Sequence, residues 1–246
     1  MVTAGGLPRG TTALWVINVY DRFWDLEVQL EIMRQTLVEN FRVHVYCSGP
    51  VAPNVGPLIN VVHRPSDSRQ NGFRDALQYT ARAGTPYDLV VSTHAKTWAT
   101  DMFEIQCLLG QMLREDRQFM YLDDGPRGAM MTGKRDSMYC DFLALPGELS
   151  SLLWSRKNFQ REFPEVIAYE HMLHHITRPM PITHTGGRLT NGDSGKFVFS
   201  ELGGDPCLEL LCGYVSEEKF QRLKLKCPRT YSMVEDIHTR WKGTAG

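Results

Sequence analysis

The chain has 246 residues, 42% of them apolar and 22% charged, and a formal net charge of −1. That length can bury one substantial core, and the composition is that of a globular protein rather than a fibrous or disordered one. The near-neutral balance removes any whole-molecule field that would draw it to nucleic acid or an anionic membrane, and with no run of 18 apolar residues no membrane span is expected.

Residues 1–10, MVTAGGLPRG, lack the basic-then-apolar plan of a secretory signal and read as a disordered lead-in; a cytoplasmic location is expected. TALWVINVY (12–20) is short, β-branched and aromatic, hence a buried strand. DLEVQLEIMRQTLVENF follows as a helix, with Leu26, Leu30, Met33 and Leu37 spaced along one face. RVHVYCS and LINVVHRP read as the second and third strands, NGFRDALQYTARAG as a helix stopped at Gly84, and YDLVVST as the fourth strand. MFEIQCLLGQMLRED is the next helix, with Ile105, Leu108, Leu109 and Met112 facing inward.

The second half is less regular. QFMYLDD and SMYCDFLALP read as strands on either side of the loop GPRGAMMTGKRD, and PEVIAYEHMLHHI as a short helix with Pro164 in its first turn. A Gly-rich loop covers 183–196, DPCLELLCGYV and SEEKFQRLKL look helical, and the tail from Tyr231 has no clear assignment. No linker divides the chain, so one domain over 11–246 is expected after the lead-in. Alternating strands and helices predict an α/β sandwich with a mostly parallel central sheet, whose ligands sit at the carboxyl ends of the strands. That edge would hold Tyr20–Asp21, Ser48–Gly49, His63–Asp67 and Thr93–Lys96.

Several patterns suggest chemistry. GAMMTGKR (128–135) matches a phosphate loop except at Arg135, where Ser or Thr would be needed for magnesium, and it precedes a strand rather than a helix; a solvated hairpin loop is preferred. Glu170 and His174 share a helix face, as do His171 and His175, a spacing that can hold a metal or simply pack on one side and be solvated on the other. Glu170 could act as a general base or be an ordinary first-turn glutamate. The six cysteines, Cys47, Cys107, Cys140, Cys207, Cys212 and Cys227, form no C-x-x-C pair and read as free thiols in a reducing compartment rather than a zinc site. No nucleophile elbow, dinucleotide fingerprint or basic-aromatic stripe for nucleic acid is present.

Five segments in order, WVINVYDR, HRPSDSRQNGFRDAL, PYDLVVSTHAKTW, YCDFLALPGEL and PEVIAYEHML, resemble the GT-A class of glycosyltransferases over roughly residues 14–176, notably small GT-A enzymes of bacterial surface-polysaccharide loci and large DNA viruses. The resemblance implies a GT-A-like (nucleotide-diphospho-sugar transferase) sandwich, with a nucleotide-binding half over about 11–125 and an acceptor half over about 126–246. It implies transfer of a sugar from a nucleotide-sugar donor to a carbohydrate or glycan acceptor. Val19, Tyr20 and Arg22 would hold the base, and Asp67, Arg69, Asn71 and Gly72 the ribose and diphosphate. The metal-binding Asp-x-Asp of the class falls on His94-Ala95-Lys96.

A lysine does not bind a cation while protonated, but its ammonium can meet a leaving diphosphate directly. The resemblance therefore carries an expectation of a metal-independent site at His94 and Lys96, with manganese or magnesium not expected there. Glu170 is the implied catalytic base, ahead of Glu165 and Asp141, and His238 an implied diphosphate contact. The alternatives are a catalytically inactive GT-A-like module for binding or assembly and, further off, a phosphate-loop hydrolase using Lys134.

Overall fold

A computed structural model describes residues 7–21, 23–36, 41–57, 59–65, 87–95, 102–116, 119–122, 142–146, 179–182, 221, 224–225 and 228–244. The described elements are β1 (Ala13–Val19), α1 (Phe23–Thr36), β2 (Phe41–Cys47), β3 (Asn60–His63), β4 (Leu89–His94), α2 (Met102–Arg114), β5 (Phe119–Leu122), β6 (Phe142–Pro146), β7 (Pro179–Ile182) and α3 (Pro228–Thr244). The strands form one sheet in the order β3-β2-β1-β4-β6-β5-β7. β6 pairs antiparallel with β4 and β5 while the other pairings are parallel, so β6 alone runs against the rest.

β1 lies at the centre of the parallel part. It registers Ala13 to Val19 against Phe41 to Cys47 of β2 on one side, and Ala13 to Asn18 against Leu89 to His94 of β4 on the other. All seven of its residues are buried, which is why its sequence is apolar except for Asn18 rather than an alternation. Alternation still divides its faces. Ala13, Trp15, Ile17 and Val19 join Val45, Cys47, Leu89 and Val91 in a core covered by α1, α2 and α3; Leu14, Val16 and Asn18 are buried on the opposite face.

The packing of α1 departs from the single stripe expected from Leu26, Leu30, Met33 and Leu37. Leu26, Val28, Gln29, Ile32 and Met33 are buried, Leu30 is half-buried at the flank, and Leu37 lies outside the described residues. The reason is α3, the segment left unassigned from sequence: Tyr231, Val234 and Ile237 join the core alongside α1, which is therefore covered on a second side. Pro228 opens α3, where a missing N–H costs nothing. β7 was also not anticipated. Its sequence PMPI places Pro179 and Pro181 two apart at the end of the sheet, so both missing N–H groups fall on one side of the strand and pairing with β5 survives. Leu7, at the end of the lead-in, packs on the core, and a turn brings the Thr11 N–H to the Pro8 carbonyl at 3.1 Å. The predicted helices at 71–84 and 164–176 lie outside the described residues. No helix among the described residues is long and apolar enough to cross a membrane.

A buried hydroxyl ties the sheet to α1. Thr93 Oγ1 accepts from Trp15 Nε1 at 2.9 Å and from Gln29 Nε2 at 3.0 Å, and all three residues are at most 1% exposed. Thr93→Val keeps the shape but removes the shared acceptor from two buried donors, and should lower unfolding free energy by about 2–4 kcal/mol in urea denaturation.

His44 of β2 registers against Asn60 of β3, with Asn60 Nδ2 3.5 Å from its Nδ1. Burial, and secondarily the Arg42 guanidinium, pushes its pKa below the ordinary histidine value. The folded state therefore resists protonation that the unfolded chain accepts, so the stability His44 contributes is full above about pH 6.5 and lost as pH falls below it. Stability measured from pH 7.5 to 5 should decline for the native chain, and the decline should be shallower in His44→Gln.

Candidate functional site

The carboxyl edge of the parallel strands is knitted by hydrogen bonds that run past the strand ends. Ser48 N–H donates to Val19 O at 3.0 Å, Arg64 N–H to Cys47 O at 2.8 Å and Ala95 N–H to Asn18 O at 2.8 Å. His63 Nε2 lies 2.9 Å from Gly49 O. The segments after β1, β2, β3 and β4 thus form one connected rim. Gly49 is required there by close approach: a Cβ on it would lie 1.7 Å from the Tyr20 carbonyl oxygen and 2.7 Å from its carbon.

Polar side chains gather just inside this rim. Asn18 donates from Nδ2 to Ser92 Oγ at 3.1 Å and to Thr93 O at 3.0 Å, bridging β1 and β4. Asn18, Ser48 and Ser92 are all buried. Asn18 Oδ1 and Ser48 Oγ have no hydrogen-bond partner among the described residues. Cys47, on the core face of the sheet, has its Sγ 3.3 Å from Val51 O, and burial pushes its thiol above the usual range against an opposing backbone hydrogen bond from Gly49. It is therefore a poor thiolate nucleophile. Asp25, fully buried in the first turn of α1, already sets a carboxylate against the positive end of that helix.

α3 runs antiparallel to α1 and brings its last turns to the same end of the molecule. Gln35 meets Met233 near the far end, whereas Glu27 accepts from Trp241 Nε1 at 2.8 Å and pairs with Arg240 at 2.7 Å near the start of α1. The His238 ring packs against Trp24, with centroids 5.5 Å apart and the planes tilted by 35°. Trp241, Phe23, Leu26, Leu30, Val51 and Ile59 line an apolar cavity of about 810 Å³ between α1 and the segment after β2.

Of the residues singled out from sequence, Val19 has its side chain in the core and its carbonyl already accepting from the Ser48 N–H. Tyr20 follows it and is 39% exposed. His94 ends β4, registered against Asn18. His238 is brought to the same end through Trp24. Arg22, Asp67, Arg69, Asn71, Gly72, Lys96 and Glu170 lie outside the described residues, as do Asp141, Glu165, the histidines 171, 174 and 175 and the loop 128–135. Among the described residues no group of three or more His, Cys, Asp or Glu is placed to hold a metal. Asn18 was missed from sequence, though a lone amide inside an apolar strand was the available signal.

Comparison of the sequence with protein-family models and with curated proteins finds no match. Among solved structures the chain is similar to the mannosyltransferase PcManGT from Pyrobaculum calidifontis, in complex with GDP-Man and Mn2+, with a TM-score of 0.50 and 12% identity over 99% of this chain and 79% of that one. The fold is GT-A-like. At that identity the likeness speaks for architecture: an α/β sandwich on a mostly parallel sheet, as the sequence predicts.

Gly49→Ala tests the rim. The displaced atoms are main chain and cannot rotate away, so the variant should lose about 2–4 kcal/mol of stability in urea denaturation. A loss below about 1 kcal/mol would show that the two segments part easily.

Proposed function

We propose that this chain is a glycosyltransferase that moves a sugar from a nucleotide-sugar donor to a carbohydrate or glycan acceptor, within a single GT-A-like domain over residues 11–246 and without a metal at the His94–Lys96 element. The observation that carries the reading is the fold, a sheet in the order β3-β2-β1-β4-β6-β5-β7 with β6 reversed, whose likeness is to a mannosyltransferase in complex with a nucleotide sugar. Two features support it. Polar groups collect at the carboxyl edge, where open α/β sheets bind ligands. β4, the strand that leads into His94-Ala95-Lys96, is held to β1 at that edge by the Asn18 bridge and the Ala95 N–H.

In this reading the acceptor hydroxyl oxygen attacks the anomeric carbon, the bond from that carbon to the diphosphate oxygen breaks, and its electron pair leaves with the nucleoside diphosphate. The Lys96 ammonium meets the negative charge that develops on the leaving group, a task a divalent cation performs where carboxylates are present. The Glu170 carboxylate takes the proton from the attacking hydroxyl. Tyr20 and Arg22 hold the base, Asp67, Arg69, Asn71 and Gly72 the ribose and diphosphate, and His238 contacts the diphosphate from α3.

Calorimetric titration of uridine and guanosine diphosphate sugars, with and without manganese, tests this directly. Binding should occur without metal, and Lys96→Ala should weaken it about 10–100-fold, the loss of one charge-assisted contact. Binding that requires manganese would overturn the role of Lys96. Metal-free binding without transfer to any carbohydrate acceptor would favour a non-catalytic module.

A further inference from the structure

The crossover from β2 to β3 leaves an apolar flank of the molecule open. Parallel neighbours are usually joined through a helix that covers the sheet, yet none of the described residues between Cys47 and Asn60 is helical. Pro53 and Pro57 stiffen the connection instead, and Gly56 turns it at φ 84°, in the left-handed region that suits glycine. Phe23, Leu26 and Leu30 of α1 form one wall of the resulting cavity of about 810 Å³, and Val51, Ile59 and Trp241 complete it. That volume is in the range of small-ligand sites, about 300–1,000 Å³. Val51 and Trp241 remain 61% and 37% exposed, so the cavity opens to solvent beside them.

Its walls are set before anything binds. Trp241 Nε1 is tied to Glu27 at 2.8 Å, which fixes the indole, and the two prolines restrict the facing segment. The charges on the lining are matched, Glu27 by Arg240 and Glu31 by Arg34. An anionic head would therefore find each of these cations already held by a carboxylate. The cavity follows α1 from Phe23 to Arg34, about 17 Å along the helix axis. One end lies at the carboxyl edge: the Phe23 N–H donates to Asp21 O at 3.1 Å, and Val51 comes two residues after Gly49, which abuts Tyr20.

We infer that this groove holds the alkyl tail of a neutral-headed glycolipid acceptor, whose sugar head is thereby kept at the carboxyl edge. The inference rests on the transferase reading above and names the class of acceptor that reading leaves open. An elongated apolar cavity without net charge, running from a polar edge, matches a chain with an uncharged polar head. Burial of successive methylenes supplies the affinity, and the head contributes position.

The test is calorimetric titration of methyl, hexyl, octyl, decyl and dodecyl glucosides, each below its micelle-forming concentration, alongside uridine and guanosine diphosphate sugars. Affinity should rise about threefold per added methylene until the chain outgrows the groove. Val51→Asp sets a charge at the opening of the cavity and should weaken the decyl glucoside at least about tenfold. Its side chain is largely exposed, so the melting temperature should hold. Leu225→Asp, 82% exposed and away from the groove, should bind the series as the native chain does. Affinity independent of chain length, or unchanged in Val51→Asp, overturns the inference and spares the transferase reading when a nucleotide sugar still binds. A fatty acid that binds as tightly as the glucoside of equal chain length overturns the glycolipid assignment. Chain-length-dependent binding by a protein that takes no nucleotide sugar overturns the transferase reading and the acceptor role together.

Discussion

The pairing of β1 with β4 is the constraint on which the rest of the structure depends. The two strands are more than 70 residues apart in sequence, and their register places Asn18 against His94. Main-chain pairing alone would tolerate a slip, but each slip of one residue would turn the core face outward. Side chains lock the register further: Trp15 and Gln29 both donate to Thr93, and Asn18 spans to Ser92 and Thr93. These bonds lie in the interior, where an unmet donor is costly, so they specify one alignment more sharply than apolar contact could.

That alignment also decides what stands at the carboxyl edge. Because β1 and β4 end together, the Ala95 N–H reaches Asn18 O and the chain leaving β4 is delivered beside the chain leaving β1. β2 and β3 close the rim through Ser48, Gly49 and His63. The fit between Gly49 and Tyr20 leaves no room for a side chain, so the polar atoms just inside the rim sit on a rigid frame. Rigid placement of a few polar groups is what ligand discrimination needs, since a group held loosely can adapt to the wrong partner.

α3 contributes at the same end by different means. Glu27 receives both the Trp241 indole and the Arg240 guanidinium, and the tilted His238–Trp24 ring contact lies on the same two helices. The ion pair is partly exposed, with 63% and 36% of the two side chains accessible, so water screens much of its energy and it contributes at most about 1 kcal/mol. The apolar residues Tyr231, Val234 and Ile237 hold the helix on, and the polar contacts orient its last turns. On α1 itself, the Arg34 guanidinium holds the Glu31 carboxyl below the usual carboxylate range, a local pair one turn apart.

By itself the sequence determined the class of architecture. Runs such as ALWVINV and LVVST are too short and too β-branched for helices, and their alternation with amphipathic segments leaves little but a parallel sheet with helices around it. It also marked the carboxyl edge, because strand ends are legible in a hydrophobicity pattern. Only the tertiary structure decided which face of α1 is buried, since α3 returns from the end of the sequence to cover it, and a periodic stripe carries no record of such a neighbour. The same holds for β7, whose prolines disguise a strand until its place at the end of the sheet is known. It holds most of all for Asn18 and Ser48. Whether a polar atom is satisfied depends on partners far away in sequence, and hydrogen bonding across folded strands is not written in any local pattern.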